Sequence, residues 1–239
     1  VVALNVSVTD PITASEATQA TGIATVTGEN SSTIAVTLVG SNNLPVVKQI
    51  AGNGSTLMPV VLNGSDLIIL GEGIVNVTAI QTDEAGNQQT VGGASLSFVL
   101  DTVNPEVSHF NATTPSGNYK AGETINLVAT LSEVTASGTE FTAVLNTGAT
   151  VVFTASSTGT VLEGSYTIGG THNANPLAVT SILPGTVLDE AGNSLATTVP
   201  TSPTFNGIAV DTTSPQPAAI VLLSSDPISG SEATAPGDF

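Results

Sequence analysis

Cysteine and tryptophan are absent from this 239-residue chain, and only two residues, Lys48 and Lys120, are basic. Without cysteine there is no disulfide framework, no thiolate-held zinc and no thiol nucleophile. Without a basic patch the chain has no electrostatic footing on nucleic acid or an anionic membrane surface. Aromatic residues make up 3% of the positions, too few to read as a stacking platform for sugars. No apolar run approaches the about 18 residues that a membrane-spanning helix needs, and the first residues do not read as a signal peptide. What is present is 19 carboxylates, giving a formal charge of −17, together with 60 Ser and Thr, 24 Gly and 13 Pro. Forty per cent of the chain is nonetheless apolar and only 9% charged, which is the composition of a folded protein rather than a disordered one. The composition therefore poses one question: why a folded chain carries so many acids with almost nothing to neutralise them.

The local pattern is that of short strands. Along Thr124-Ile125-Asn126-Leu127-Val128-Ala129-Thr130-Leu131 the apolar residues Ile125, Leu127, Ala129 and Leu131 share one face. Segments 23–27, 33–39, 74–80, 141–145 and 162–168 repeat this period of two. Abundant Val, Ile and Thr suits a pleated, half-buried surface. Clusters such as Ser41-Asn42-Asn43, Gly52-Asn53-Gly54 and Asn63-Gly64-Ser65 supply turn chemistry between the runs. No stretch sustains a helical period. An all-β fold is predicted, as a sandwich or barrel.

Internal repeats set the organisation. Asp83-Glu84-Ala85-Gly86-Asn87 recurs as Asp189-Glu190-Ala191-Gly192-Asn193, 106 residues later. Asp101-Thr102-Val103-Asn104-Pro105 is matched by Asp211-Thr212-Thr213-Ser214-Pro215 at an offset of 110. Asp10 to Thr18 and Asp226 to Thr234 agree at seven of nine positions, 216 residues apart. Two sandwiches of related but different type are predicted, over 1–103 and 104–214, with 215–239 opening a third repeat. A lone first strand cannot form a core. It belongs either to a longer tandem array or, as the alternative, to a neighbouring subunit that it completes by strand exchange.

These residues resemble the immunoglobulin-like tandem repeats of large bacterial adhesins secreted by type I systems. Asn118-Tyr119-Lys120-Ala121-Gly122-Glu123-Thr124-Ile125 is similar to that family's opening into its second strand, and Leu131-Ser132-Glu133-Val134 to the exit from it. The first repeat resembles a sister type through Asp10-Pro11-Ile12, Thr27-Gly28-Glu29 and its D-E-A-G-N loop. The resemblance implies Greek-key sandwiches of about seven strands that extend an adhesin from the cell surface, with Ca²⁺ at or near the joints. The chain departs from the family in having few Asp-Gly calcium loops.

In such a sandwich, the loop between the last two strands and the loop after the second strand lie at the end where the chain enters. That places Asp189 and Asn193 in one loop and Glu133 in the other, beside the connector residues Asp101 and Asn104. Hard oxygen ligands in a flexible cage suit Ca²⁺, and with no thiol and two histidines, zinc or copper does not fit. By the same placement Glu29, Asp83 and Asn87 would meet a preceding connector, and Asp211 would serve the next repeat. D-E-A-G-N is equally an ordinary hairpin turn, since Gly and Asn accept positive φ and Asp caps turns. Asp10 with Glu16 reads either as a ligand pair or as a turn. Asp66, Glu72, Glu140 and Glu163 read as solubilising charge.

His109 and His172 have no partner motif, and no nucleophile elbow, zinc-protease signature or phosphate loop is present, so the chain does not read as an enzyme. The leading functional reading is a structural extender of an extracellular, cell-surface adhesin, partnered by neighbouring repeats of its own chain. A subunit of a polymeric fibre, sheath or surface layer, joined to identical subunits by strand exchange, is the alternative. A carbohydrate- or ice-binding module with a Thr-rich face is the third. None involves nucleic acid or direct membrane insertion.

Overall fold

Strands that alternate Val, Ile or Leu with Thr must bury one face, and the chain does so around two separate hydrophobic cores, one built from residues 8–100 and one from 107–210. The computed structural model describes residues 2–4, 8–89 and 95–218. The repeat at 226–234 and most of the predicted third-repeat strand lie outside the described residues. Among the described residues no helix is long and apolar enough to cross a membrane.

The first unit runs β1 (Val2–Leu4), α1 (Ala14–Ala17), β2 (Ala24–Val26), β3 (Thr33–Val39), β4 (Pro45–Ala51), β5 (Met58–Val60), α2 (Gly64–Leu70), β6 (Gly73–Thr82) and β7 (Ser95–Leu100). One sheet has the order β1-β2-β5 and the other β4-β3-β6-β7. Ala24 and Val26 from the first, with Ile34, Val36, Leu38, Val75, Val77 and Phe98 from the second, close the core between them. This is an immunoglobulin-like sandwich, and Asp83–Asn87 joins its last two strands as the repeat predicted.

The sequence does not predict α2. Its N-cap is Asn63, whose Oδ1 accepts the amides of Ser65 and Asp66 at 2.9 and 3.1 Å, while Asp66 Oδ2 accepts the Asn63 amide at 2.7 Å. This reciprocal capping box uses the same residues as a turn, so Asn63-Gly64-Ser65 reads as a turn locally. The carboxylate of Asp66 is also not free charge. It is buried and meets Lys48 Nζ at 2.5 Å, tying α2 to the edge strand β4. Asp66→Ala removes the cap and the ion pair together, and is expected to destabilise the first unit by about 2–3 kcal/mol. Lys48→Met should cost less, because the cap remains. Thermal melts of the two variants check this ranking; wild-type melting of Asp66→Ala would refute it.

The second unit contains β8 (Val107–Ala112), β9 (Gly117–Tyr119), β10 (Thr124–Thr135), β11 (Glu140–Leu145), β12 (Thr150–Thr154), β13 (Gly159–Thr167), β14 (Val179–Leu183) and β15 (Ile208–Val210). Six strands pair in the order β14-β11-β12-β13-β10-β8, and β15 pairs in parallel with β9. The six-stranded sheet folds over on itself. Phe110 of β8, at one end of the order, lies with its ring 5.6 Å from Phe153 of β12 and 6.5 Å from Phe141 of β11. The fold line is the short β12–β13 pairing, limited to Phe153 with Gly164 and Thr154 with Glu163. Gly164 allows that close crossing, since a Cβ there would come within 2.8 Å of Val151 Cγ1. His172 is not isolated: its Nδ1 accepts the Gly169 amide at 2.9 Å and lies 2.8 Å from the buried Tyr166 hydroxyl.

Candidate metal centre

Period-two geometry brings Glu133 to the joint between the cores. Ile125, Leu127, Ala129 and Leu131 of β10 face inward, and Glu133 and Thr135 continue the same phase. At the end of the strand the core gives out, so an inward-phased carboxylate is half buried rather than sealed. Thr135 is 2% exposed, and its Oγ1 donates to the Leu188 carbonyl at 2.9 Å. That bond draws the Asp189–Asn193 loop against the end of β10.

Asp189 closes its own loop. Oδ1 accepts the amides of Gly192 and Asn193 at 2.7 and 2.8 Å, and Oδ2 accepts Asn193 Nδ2 at 2.9 Å. Gly192 supplies the positive φ, +102°, that the turn requires. Asn193 Nδ2 also donates to the Asp101 carbonyl at 3.0 Å, which fixes the amide with its nitrogen toward Asp189 and the connector. Turn and ligand readings of this loop are thus compatible: the backbone amides hold Asp189 with its carboxylate at the joint.

Asp101, Glu133 and Asp189 come together here, with one carboxylate oxygen from each lying within 4.8 Å of the others. Among the described residues this is the one group of three or more potential acidic, histidine or cysteine ligands. No lysine relieves it. Lys48 is paired with Asp66, and Lys120 lies at the far end of the second unit beside Glu123 and Asp211. Burial pushes the Asp101 carboxyl above its ordinary range, and the charges of Asp189 and Glu72 push it further, against the hydrogen bond from the Val103 amide. Burial likewise raises Glu133, followed by the charges of Asp101 and Asp189, a hydrogen bond to Asp189 and the charge of Glu72. Asn104 stands nearby, in a small cleft that Thr13, Ala14 and Ser15 share with Gly192, Asn193 and Ser194.

The other predicted ligands are not gathered in this way. Glu29 receives a hydrogen bond from Gln81 Nε2 at 3.3 Å. Asp83 accepts the Asn87 amide and Nδ2, both at 2.8 Å, which holds its carboxyl below the usual range. Asp211 Oδ1 accepts the Thr213 amide at 2.9 Å, the counterpart of Val103 donating to Asp101. Asp10 and Glu16 both have structural partners within the first unit. Asp10 Oδ1 accepts the Val99 amide at 2.8 Å, and Glu16 Oε2 accepts the Thr13 amide at 3.0 Å in the capping box of α1. Burial alone would raise the Glu16 carboxyl, but its hydrogen bonds from Thr13 and Thr9 hold it below the ordinary range.

Glu72 is the residue that sequence reasoning missed. It follows α2, far in sequence from every other acid at the joint, and no repeat marks it. Its Oε2 accepts the Thr102 amide at 2.8 Å, and its Oε1 accepts the Thr102 hydroxyl.

No known family profile matches the chain, and no curated protein matches it. Among solved structures it is similar to one from a study of host cell surface retention of a 1.5-MDa bacterial ice-binding adhesin. The identity is 25%, over 84% of this chain and 60% of that one, with a TM-score of 0.44. It is also similar to a tetra-tandem repeat from the extending region of a large adhesion protein, at 20% identity over 77% of this chain and 44% of that one, with a TM-score of 0.27. The chain thus spans less than two thirds of either structure.

Proposed function

We propose that the chain is a pair of extender modules from an extracellular, cell-surface bacterial adhesin, stiffened by a calcium ion held at the joint by Asp101, Glu133 and Asp189. The observation that carries this reading is the meeting of three carboxylates from three separate chain segments between two cores, with no cationic side chain to balance them. The donor set fits the ion. Calcium takes six to eight oxygens at about 2.3–2.6 Å, so two ligands of one ion lie no more than about 5 Å apart. A spread within 4.8 Å meets that limit. Asn104 would add a neutral oxygen with backbone carbonyls and water, while Asn193 turns its nitrogen to Asp189 and Asp101 and so holds the loop in place.

The consequence is mechanical. Asp101 belongs to the connector, while Glu133 and Asp189 belong to the second unit. An ion shared among them would remove their mutual repulsion and fix the connector to that unit, so that tandem repeats project as a strut. The proposed boundary between the units lies in residues 101–106, supported by one core ending at Leu100 and the other beginning at Val107.

Calorimetric titration of calcium into the metal-free chain tests the site. Binding with a dissociation constant of about 10⁻⁴–10⁻³ M or tighter is expected, as in other extracellular modules. Asp101→Asn with Glu133→Gln should abolish it, and magnesium should compete poorly. Equal heats from wild type and the double variant would remove the site.

A further inference from the structure

We propose that the joint is also clasped by the protein alone, with Glu72 as a latch on Thr102, so that the connector keeps its course between the two units without any cation. This goes beyond the calcium reading and does not depend on it.

The hydrogen bonds of the connector show how one unit hands over to the other. On the first unit's side, Asp10 Oδ1 accepts the Val99 amide at 2.8 Å, Ile12 donates to the Val99 carbonyl at 2.8 Å, and the Asp101 amide donates to the Ile12 carbonyl at 3.0 Å. The opposite side of the same residue belongs to the second unit, because the Asp101 carbonyl accepts Asn193 Nδ2 at 3.0 Å. Thr102 then turns back to the first unit through Glu72, with both its amide and its hydroxyl donating to the carboxylate. Beyond it, the Pro105 carbonyl accepts the Ala196 amide at 2.9 Å. The Glu106 amide donates to Ser132 Oγ at 2.9 Å, and its carbonyl accepts the Ser132 amide at 2.8 Å.

A connector whose groups alternate between two folded bodies has little freedom left. Domains joined by a loose linker move relative to each other by default, but here Asp101, Thr102 and Glu106 are each held at a definite partner. Glu72 is the strongest grip from the first unit, since a carboxylate accepting two donors of one residue makes charge-assisted bonds with a fixed geometry. It stands between Gly71 and Gly73, at φ +71° and +99°, directly after α2, so the chain can turn its side chain out toward the connector. Its negative charge also faces Asp101 and Glu133. In the metal-free joint the latch therefore works against repulsion, and a bound cation would reinforce it.

Absence of cysteine makes the test clean. Spin labels at Thr78→Cys in the first unit and Thr154→Cys in the second, both exposed strand positions, report the distance between units by pulsed electron resonance. In EDTA, the otherwise wild-type chain is expected to give a narrow distribution. Glu72→Ala should broaden it by about two-fold and Thr102→Val by less, because the backbone amide at 102 still donates to Glu72. The two combined should be no broader than Glu72→Ala alone. An EDTA distribution for wild type as broad as that of Glu72→Ala would overturn the latch, as would a Glu72→Ala distribution no broader than wild type. If calcium alters no distribution, the calcium reading fails while the latch stands. If wild type is broad in EDTA and narrow in calcium, the calcium reading stands and the latch fails.

Discussion

Chelating calcium is expected to lower the melting temperature of the second unit, and Asp101→Asn with Glu133→Gln is expected to abolish that dependence. Three carboxylates within 4.8 Å repel one another by about 3 kcal/mol per pair at an effective dielectric constant near 20. The metal-free protein carries that repulsion without a lysine to offset it. Calcium at ten times its dissociation constant stabilises by about 1.4 kcal/mol, and at a hundred times by about 2.7 kcal/mol. At about 4 °C or more per kcal/mol for a unit of this size, the larger value is a shift of about 10 °C. The double variant should melt higher than wild type in EDTA, having lost the repulsion, and its melting should not respond to calcium, having lost the site. Asp189 is a poor choice for this test, since its carboxylate also closes its own loop through the Gly192 and Asn193 amides. Scanning calorimetry at constant ionic strength decides the matter. A wild-type melting point indifferent to calcium would refute the site.

The pH dependence has a definite sign. Asp101 and Glu133 are both raised in the metal-free fold. Between the ordinary carboxylate pKa and those raised values the native state holds more protons than the unfolded chain. Stability from these groups is therefore present at lower pH and falls as pH rises through that window. Bound calcium inverts this, because the ion favours the ionised carboxylates and protons compete with it. The difference in melting temperature between calcium and EDTA should shrink toward zero as pH falls through the carboxylate range. Asp83 and Glu16 are lowered and so lose stability as pH falls, but they do so with or without calcium and cancel in the difference.

Phe153→Ala is expected to lower the melting of the second unit by about 15–25 °C while leaving the first unit unchanged. Phe153 is fully buried, stacked on Phe141 at 5.1 Å and 9°, with Phe110 at 5.6 Å. Truncating a core phenylalanine costs about 3–5 kcal/mol through lost transfer energy and the cavity left behind. The site can collapse little, because Phe153 stands at the fold line where β12 crosses β13 over Gly164. The two cores share no residue, so wild type should show two transitions and the variant should move only one. A single transition that shifts as a whole would show the units to be energetically coupled.

Much of the fold is legible in the residues. The inward set Ile125, Leu127, Ala129 and Leu131 follows from period two alone, and β3 matches its predicted bounds at 33–39. On the expected sandwich topology the loop carrying Asp189 and the connector carrying Asp101 share the end where the chain enters, and the structure brings the two together. Other features have local signals that point elsewhere. Asn63-Gly64-Ser65 begins a helix with turn chemistry, and whether the apolar run after it winds or extends is decided by Lys48 and by packing against the sandwich. Asp10 and Glu16 read either as a ligand pair or as a turn, and both serve as backbone partners, because a carboxylate accepts an amide as readily as it binds a cation.

By itself the sequence determined the all-β class, since strand period is a property of the chain's order, and its repeats, set on a sandwich topology, carry the expectation that Asp101, Glu133 and Asp189 meet. It also determined that these acids would lack a basic partner, with only two lysines available. Tertiary structure alone decided which acids are structural and which remain for a ligand. Asp66 against Lys48 and Glu72 against Thr102 join positions 18 and 30 residues apart. No periodicity encodes such pairs: an exposed acid and a latched one have the same local sequence, and only tertiary packing, within the first unit for Asp66 and at the joint for Glu72, brings the partner within hydrogen-bonding distance.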